Sequence, residues 1–151
     1  MASIYRTARN KIVDALVKEL KTSINGVSPY NSNVFNNVDG HLKFLDTIQE
    51  YPQVCVVAGD ETREYEPGGL KWRFLRLDVR CYIEDQTEPQ ETVALLCEDI
   101  ERVIDNNDVL TYDDTVSPAL KTTSLTIMTI STDEGVLAPL GIGEITVLCR
   151  Y

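Results

Sequence analysis

Residues 53–83 read QVCVVAGDETREYEPGGLKWRFLRLDVRCYI and describe a long β-hairpin. Gln53 to Ala58 is apolar on both faces, as a strand inside a sheet must be. Polar residues continue the ribbon to Tyr65. Glu66-Pro67-Gly68-Gly69 then reverses the chain, because proline presets one turn angle and glycine supplies positive φ. Leu70 to Ile83 is the return strand. From Leu75 the alternation is strict: Leu75, Leu77, Val79, Cys81 and Ile83 point one way, Arg76, Asp78 and Arg80 the other. Leu70, Trp72 and Phe74 have the opposite parity, and a one-residue change of phase flips the buried face. Either a bulge near Phe74-Leu75 resets the phase, or the hairpin tip leaves the domain and buries Trp72 and Phe74 elsewhere.

Outward from the hairpin, each flank predicts a helix. Ile4, Ala8, Ile12, Leu16 and Leu20 recur every four residues, which predicts an amphipathic helix over Ile4 to Ile24, with Ser3 as cap and Asn25-Gly26 as its end. Its outer face is basic, with Arg6, Arg9, Lys11, Lys18 and Lys21 against Asp14 and Glu19. The Asn-, Ser- and Pro-rich residues 25–40 read as a loop, long for a compact domain, and 42–50 as a short helical or irregular piece. After the hairpin, Val93, Leu96, Cys97, Ile100, Val103 and Ile104 form the apolar stripe of a second helix over Glu88 to Asn106, with Thr87 and Gln90 as a capping box. Leu120 to Thr132 and Ile142 to Tyr151 are the last strands. The order is helix, hairpin, helix, hairpin: one domain over residues 1–151, of α+β class. An antiparallel-rich mixed sheet of about four strands carries two main helices on one face, leaving the other face free for a neighbouring subunit.

The charge is segregated. Glu84 to Asp114 holds eleven acids and only Arg102 as a base, a net −10 equal to that of the whole chain of 151 residues. Glu91, Glu98, Glu101 and Asp105 fall on the outer face of the second helix. They are either a plain solvated face or the lining of an anionic passage. Such a surface repels phosphate and selects its partners. DNA gripping needs clustered Lys and Arg, and the only basic cluster is the first helix. No apolar run spans a membrane, and no signal-peptide stretch opens the chain, so cytosolic synthesis is the expectation. Cys55, Cys81, Cys97 and Cys149 sit in apolar-periodic segments and read as reduced core thiols; their spacing fits no zinc pattern.

No catalytic constellation is present. His41 stands alone, and nucleophile elbow, metalloprotease and P-loop patterns are all missing. Gly141-Ile142-Gly143 precedes a strand and not a helix, so it lacks the context for phosphate binding. Asp113-Asp114 and Glu84-Asp85 suggest a two-metal site only weakly, since acids in turns usually just solvate them. No cofactor is implied.

Three stretches carry a resemblance. They are Tyr51-Pro52-Gln53-Val54-Cys55-Val56-Val57-Ala58-Gly59-Asp60-Glu61-Thr62-Arg63, then Leu75 to Glu84 leading into Leu96-Cys97-Glu98-Asp99-Ile100-Glu101, and Thr132-Asp133-Glu134-Gly135-Val136-Leu137-Ala138-Pro139-Leu140-Gly141-Ile142-Gly143-Glu144-Ile145 running to Tyr151. Together they resemble tail terminator proteins of long-tailed bacteriophages. The resemblance implies a structural virion protein, not an enzyme, located at the head-proximal end of the tail and assembled in the host cytoplasm. It implies a hexameric ring that caps the tail tube, stops its polymerisation, meets the head's connector proteins and lets DNA through without binding it specifically. Within that frame Glu91, Glu98, Glu101 and Asp105 are candidates for the bore. Tyr65, Pro67, Trp72, Phe74, Val136, Leu137 and Leu140 are candidates for partner contact, and Arg6, Arg9, Lys18 and Lys21 for contact between subunits. The alternatives are another head–tail connector or tube protein, or a cytosolic enzyme or ligand-binding module with an acidic site near Asp113.

Overall fold

The computed structural model describes residues 7–151. Helix α1 (Ala8–Ser23) is followed by β1 (Val38–Asp39), a 3-10 turn (Leu45–Thr47), β2 (Gln53–Tyr65), β3 (Lys71–Glu84) and α2 (Pro89–Asn106). The chain ends with β4 (Thr111–Asp113), β5 (Leu120–Lys121), β6 (Ser124–Thr132) and β7 (Leu140–Arg150). The main sheet has five strands in the order β1-β2-β3-β7-β6, and β4 and β5 form a separate two-stranded ribbon. Only β1 runs parallel to its neighbour. It is the strand the sequence hides, since Val38–Asp39 is too short to show a period inside a polar loop.

Both helices cover one face of the sheet. Ile12, Leu16 and Leu20 of α1 and Val93, Leu96, Ile100 and Val103 of α2 share one core with Val54, Val56, Leu75, Leu77, Val79, Ile145 and Val147. α1 lies over β1 and β2, and α2 over β3, β7 and β6. Gly141 and Gly143 make the second contact possible. A Cβ on Gly143 would meet Cys97 Sγ at 2.6 Å and Cys81 Sγ at 2.8 Å, so the glycines are the floor on which α2 rests. The four cysteines are free and buried.

Several expectations change in detail: the main sheet has five strands and not about four, and the strand read over Leu120 to Thr132 breaks at Thr122-Thr123 into β5, part of the separate ribbon, and β6. α1 starts at Ala8 and not near Ile4: Thr7 has extended backbone angles, and its hydroxyl accepts the Asn10 N–H at 3.2 Å. Ser3, Ile4 and Tyr5 lie outside the described residues. At α2 no Thr87–Gln90 box forms. Asp85 takes the role instead: its Oδ1 accepts the N–H groups of Thr87 (2.8 Å) and Glu88 (3.1 Å), its Oδ2 the Thr92 hydroxyl, while Gln90 reaches Thr132. A carboxylate outcompetes a neutral hydroxyl for the free amides at a helix start. The bulge is on β2 and not on β3: Ala58 pairs with Leu77 and Glu61 with Leu75, so Gly59 and Asp60 together oppose Arg76. Strand β3 keeps its parity throughout, and Trp72 and Phe74 lie on the helix-free face.

The loop 25–40 is tied to the rest of the fold at several points. Asp99, fully buried on α2, accepts the N–H groups of Asn31 (2.9 Å) and Ser32 (2.7 Å). Val34 and Val38 plug into the same core.

Candidate functional site

The candidate surfaces fall at the two ends of the strands and along the flanks of the sheet. At one end the hairpin outruns the sheet. Beyond the bond from Tyr151 N–H to Arg73 C=O (3.1 Å) it pairs, among the described residues, only with itself, and its tip exposes Tyr65 (74%) and Leu70 (62%) around Pro67. Trp72 is half-buried, because the Arg150 guanidinium stacks 4.2 Å from its ring centroid. Phe74 is half-buried next to Arg150 in the β3–β7 register. Arg150 holds Trp72 against the sheet, so the tip's free apolar side chains are Tyr65 and Leu70.

The opposite end carries the connection between β6 and β7. Asp133 shapes it, its two oxygens accepting the N–H groups of Leu137 (3.0 Å) and Ile142 (3.2 Å). Val136 is left 83% exposed and Leu137 37% exposed, while Leu140 enters β7 opposite Glu84. Eleven residues of β3, Phe74 to Glu84, pair with β7 between these ends, so the two protrusions stand about 35 Å apart along the strands.

The acids of α2 separate. Asp99 is internal. Glu98, Glu101, Arg102 and Asp105 line a groove of about 620 Å³ between α2 and β6, whose floor includes Ile130. Glu91 is exposed in the first turn of α2, outside that groove.

The bases of α1 separate too. Lys11 is bonded to Asp113 (2.7 Å). Lys18 borders a hollow against β4, and Lys21 closes the last turn. Arg9 faces a polar hollow of about 910 Å³ with Arg63, Arg73, Glu61 and Tyr151. There the Tyr151 phenol donates to Glu61; burial and that bond push its pKa up to about 12. Burial opposes ionisation of Glu61, but hydrogen bonds from Tyr151 and Arg63 outweigh it and lower its pKa. Arg6 lies outside the described residues.

Residues 6–151 match the family of bacteriophage tail tube terminator proteins. The tail tube terminator protein p142 of Escherichia phage T5 is 37% identical, over 95% of this chain and 92% of that protein. The chain belongs to the tail tube terminator family. A chain from the virion of a native gene transfer agent particle shares the fold with a TM-score of 0.60 at 11% identity, covering 96% of this chain and 98% of that one.

A tail tube terminator is a structural protein of the phage tail, which locates the chain in the virion. No helix among the described residues is long and apolar enough to cross a membrane. Asp113, the centre of the enzymatic alternative, has both oxygens committed, Oδ2 to Lys11 and Oδ1 to the Thr115 N–H (3.0 Å) and hydroxyl (2.6 Å). Those bonds, led by Lys11, hold its pKa at about 2. Among the described residues no cluster of His, Cys, Asp or Glu could hold a metal ion. Sequence reasoning missed Asp99 and Asp85 as organising residues. The available signal was their position: Asp99 falls on the apolar side of α2, and Asp85 stands four residues before Pro89.

Proposed function

We infer that this terminator closes into a ring, hexameric when assembled, which caps the tail tube and stops its polymerisation. Its other end forms the tail side of the head–tail junction, and DNA passes through the bore without specific binding. The observation that carries this reading is the pair of exposed apolar protrusions at opposite ends of the strands, Tyr65 and Leu70 at one and Val136 and Leu137 at the other. A cap needs two faces, one for the tube and one for the head, and apolar side chains on projecting turns are suitable anchors for each. The acidic segment 84–114 supports free passage of DNA, since phosphates are repelled within about 8–10 Å at physiological salt.

The test separates the two ends. Leu70→Asp with Tyr65→Asp at the hairpin tip and Val136→Asp with Leu137→Asp at the connection are each incubated with uncapped tail tubes and then with filled heads. One pair is expected to lose capping, seen as tubes of uncontrolled length by negative-stain imaging. The other is expected to cap normally and fail to join heads. If both pairs cap tubes and join heads as the wild type does, the two-ended reading fails.

A further inference from the structure

The main sheet has two open edges, and they match. Strand β6 pairs with β7 on one side and with no described residue on the other. Its nine residues, SLTIMTIST, contain no charge and no proline, and they expose Met128 (55%) and Ile130 (43%). Edge strands are normally blunted by charge, proline or cover, because an open edge is a template for another strand. Here only a bulge at Met128 interrupts it. At the far side of the sheet, β1 covers β2 only at Val54 and Cys55, so Val57 to Tyr65 have no described partner on their outer side.

We propose that neighbouring copies of this chain join edge to edge, β6 of one copy pairing antiparallel with the uncovered part of β2 in the next. The inference rests on the ring reading and specifies the contact that closes the ring. Strand direction supports it. β2, β3, β7 and β6 alternate in direction, so the two outer strands of this set of four run opposite ways. Rotation about an axis along the strands keeps each direction, so every junction between copies is antiparallel, and a closed ring leaves no open edge.

Charge selects this pairing over its rival. On the helix side, β6 is flanked by Glu98, Glu101 and Asp105 with Arg102 among them, a net negative set. On the same side, the outer part of β2 is flanked by Arg9, Arg63 and Arg73 with Asp60 and Glu61, Glu61 being bonded to Arg63, a net positive set. Joining β6 to β2 brings acids to bases; a two-fold β6–β6 pair would set the acidic flank against itself. The register fits as well. Ile130 lies level with Val56 through Ile145 and Val79, whereas the basic hollow lies level with Glu61. Matching the charges therefore staggers adjacent sheets, which is the offset a closing sheet with tilted strands requires. This places Glu98, Glu101 and Asp105 at the junction between copies and not along the bore, so that repulsion of DNA falls to the other exposed acids of residues 84–114.

Engineered cysteines test it. Thr126→Cys or Thr129→Cys on β6 is combined with Thr62→Cys or Glu64→Cys on β2 in the full chain. The native cysteines are buried. Samples alone and on tail tubes are imaged, oxidised mildly and run on non-reducing gels. The expected result is that at least one double variant gives a covalent ladder up to the full ring, while each single variant stays monomeric. Rings without a ladder would overturn the edge pairing and leave the ring reading standing. Covalent dimers from Thr129→Cys alone would show a two-fold β6–β6 contact and overturn it. No rings in either sample would end both. Met128→Lys gives an independent readout: a charge at the exposed bulge is expected to abolish rings at an unchanged thermal midpoint, and intact rings would count against the proposal.

Discussion

Asp99 has no solvent exposure, yet its carboxylate is fully engaged by the backbone of a loop sixty-seven residues away in sequence. Removing it strands the part-buried N–H donors of Asn31 and Ser32, each worth up to about 1–3 kcal/mol if left unsatisfied. Asp99→Ala is therefore expected to cost about 3 kcal/mol and to raise amide exchange at Asn31 and Ser32; Asp99→Asn, which keeps one acceptor, should cost less. Urea denaturation and hydrogen exchange check both. Asp113 makes a separate statement about pH. Its pKa falls from the usual 3.8 to about 2, chiefly through Lys11. A depressed carboxylate stabilises the fold above its unfolded pKa, and that stabilisation is lost as pH drops from about 4 through 2. Lys11→Met should flatten the decline of the thermal midpoint across that window. An unchanged slope would show that the pair contributes nothing to acid stability.

At the scale of elements, α2 and β7 fit because β7 offers no side chain where the helix lands. Gly143→Ala puts a methyl where Cys97 and Cys81 sulfurs already lie within 3 Å, and overpacking of this kind costs about 1–3 kcal/mol. A thermal midpoint unchanged in Gly143→Ala would mean that the helix shifts freely. The Gly141-Ile142-Gly143 pattern has a packing reason and no ligand reason. The hairpin shows a related economy. One bulge at Gly59-Asp60 shifts the parity of β2 and lets β3 keep its alternation, with Leu75 in the core and Trp72 beneath Arg150 on the other face.

Over the described residues the whole molecule is a five-stranded sheet, antiparallel but for the short β1, with a helix layer on one side, a protrusion at each end and open strand edges along β6 and the outer part of β2. On the proposed ring, ends and flanks divide the tasks: the ends meet other proteins and the flanks meet copies of the chain. The proposed contacts between the acidic flank of α2 and the hollow near β2 would be screened by salt. Ring assembly, followed by light scattering, is therefore expected to weaken steadily from about 0.05 to 0.5 M salt. Assembly that strengthens with salt would point to an apolar interface instead.

Much of this was legible in the chain because periodicity is local. The long hairpin, both helices, the last strand and the α+β class follow from which side chains repeat every two or every 3.6 residues. The resemblance to tail terminators rested on stretches that are core and turn, and the family match agrees with it. Placement of the candidate site was less legible. The lone cluster of bases on α1 and the lone acidic face on α2 each divide once folded: Lys11 goes to Asp113 and Arg9 to the hollow by β2, while Glu91 stands apart from the groove lined by Glu98, Glu101 and Asp105.

The sequence alone determined the two helices, the long hairpin and the last strand, and their order, because these depend on neighbours a few residues apart. Only the tertiary structure decided which edges stay open, that the two apolar turns stand at opposite ends, and that Asp99 faces inward. Those depend on strand order and register, which are set by packing between residues far apart in the chain.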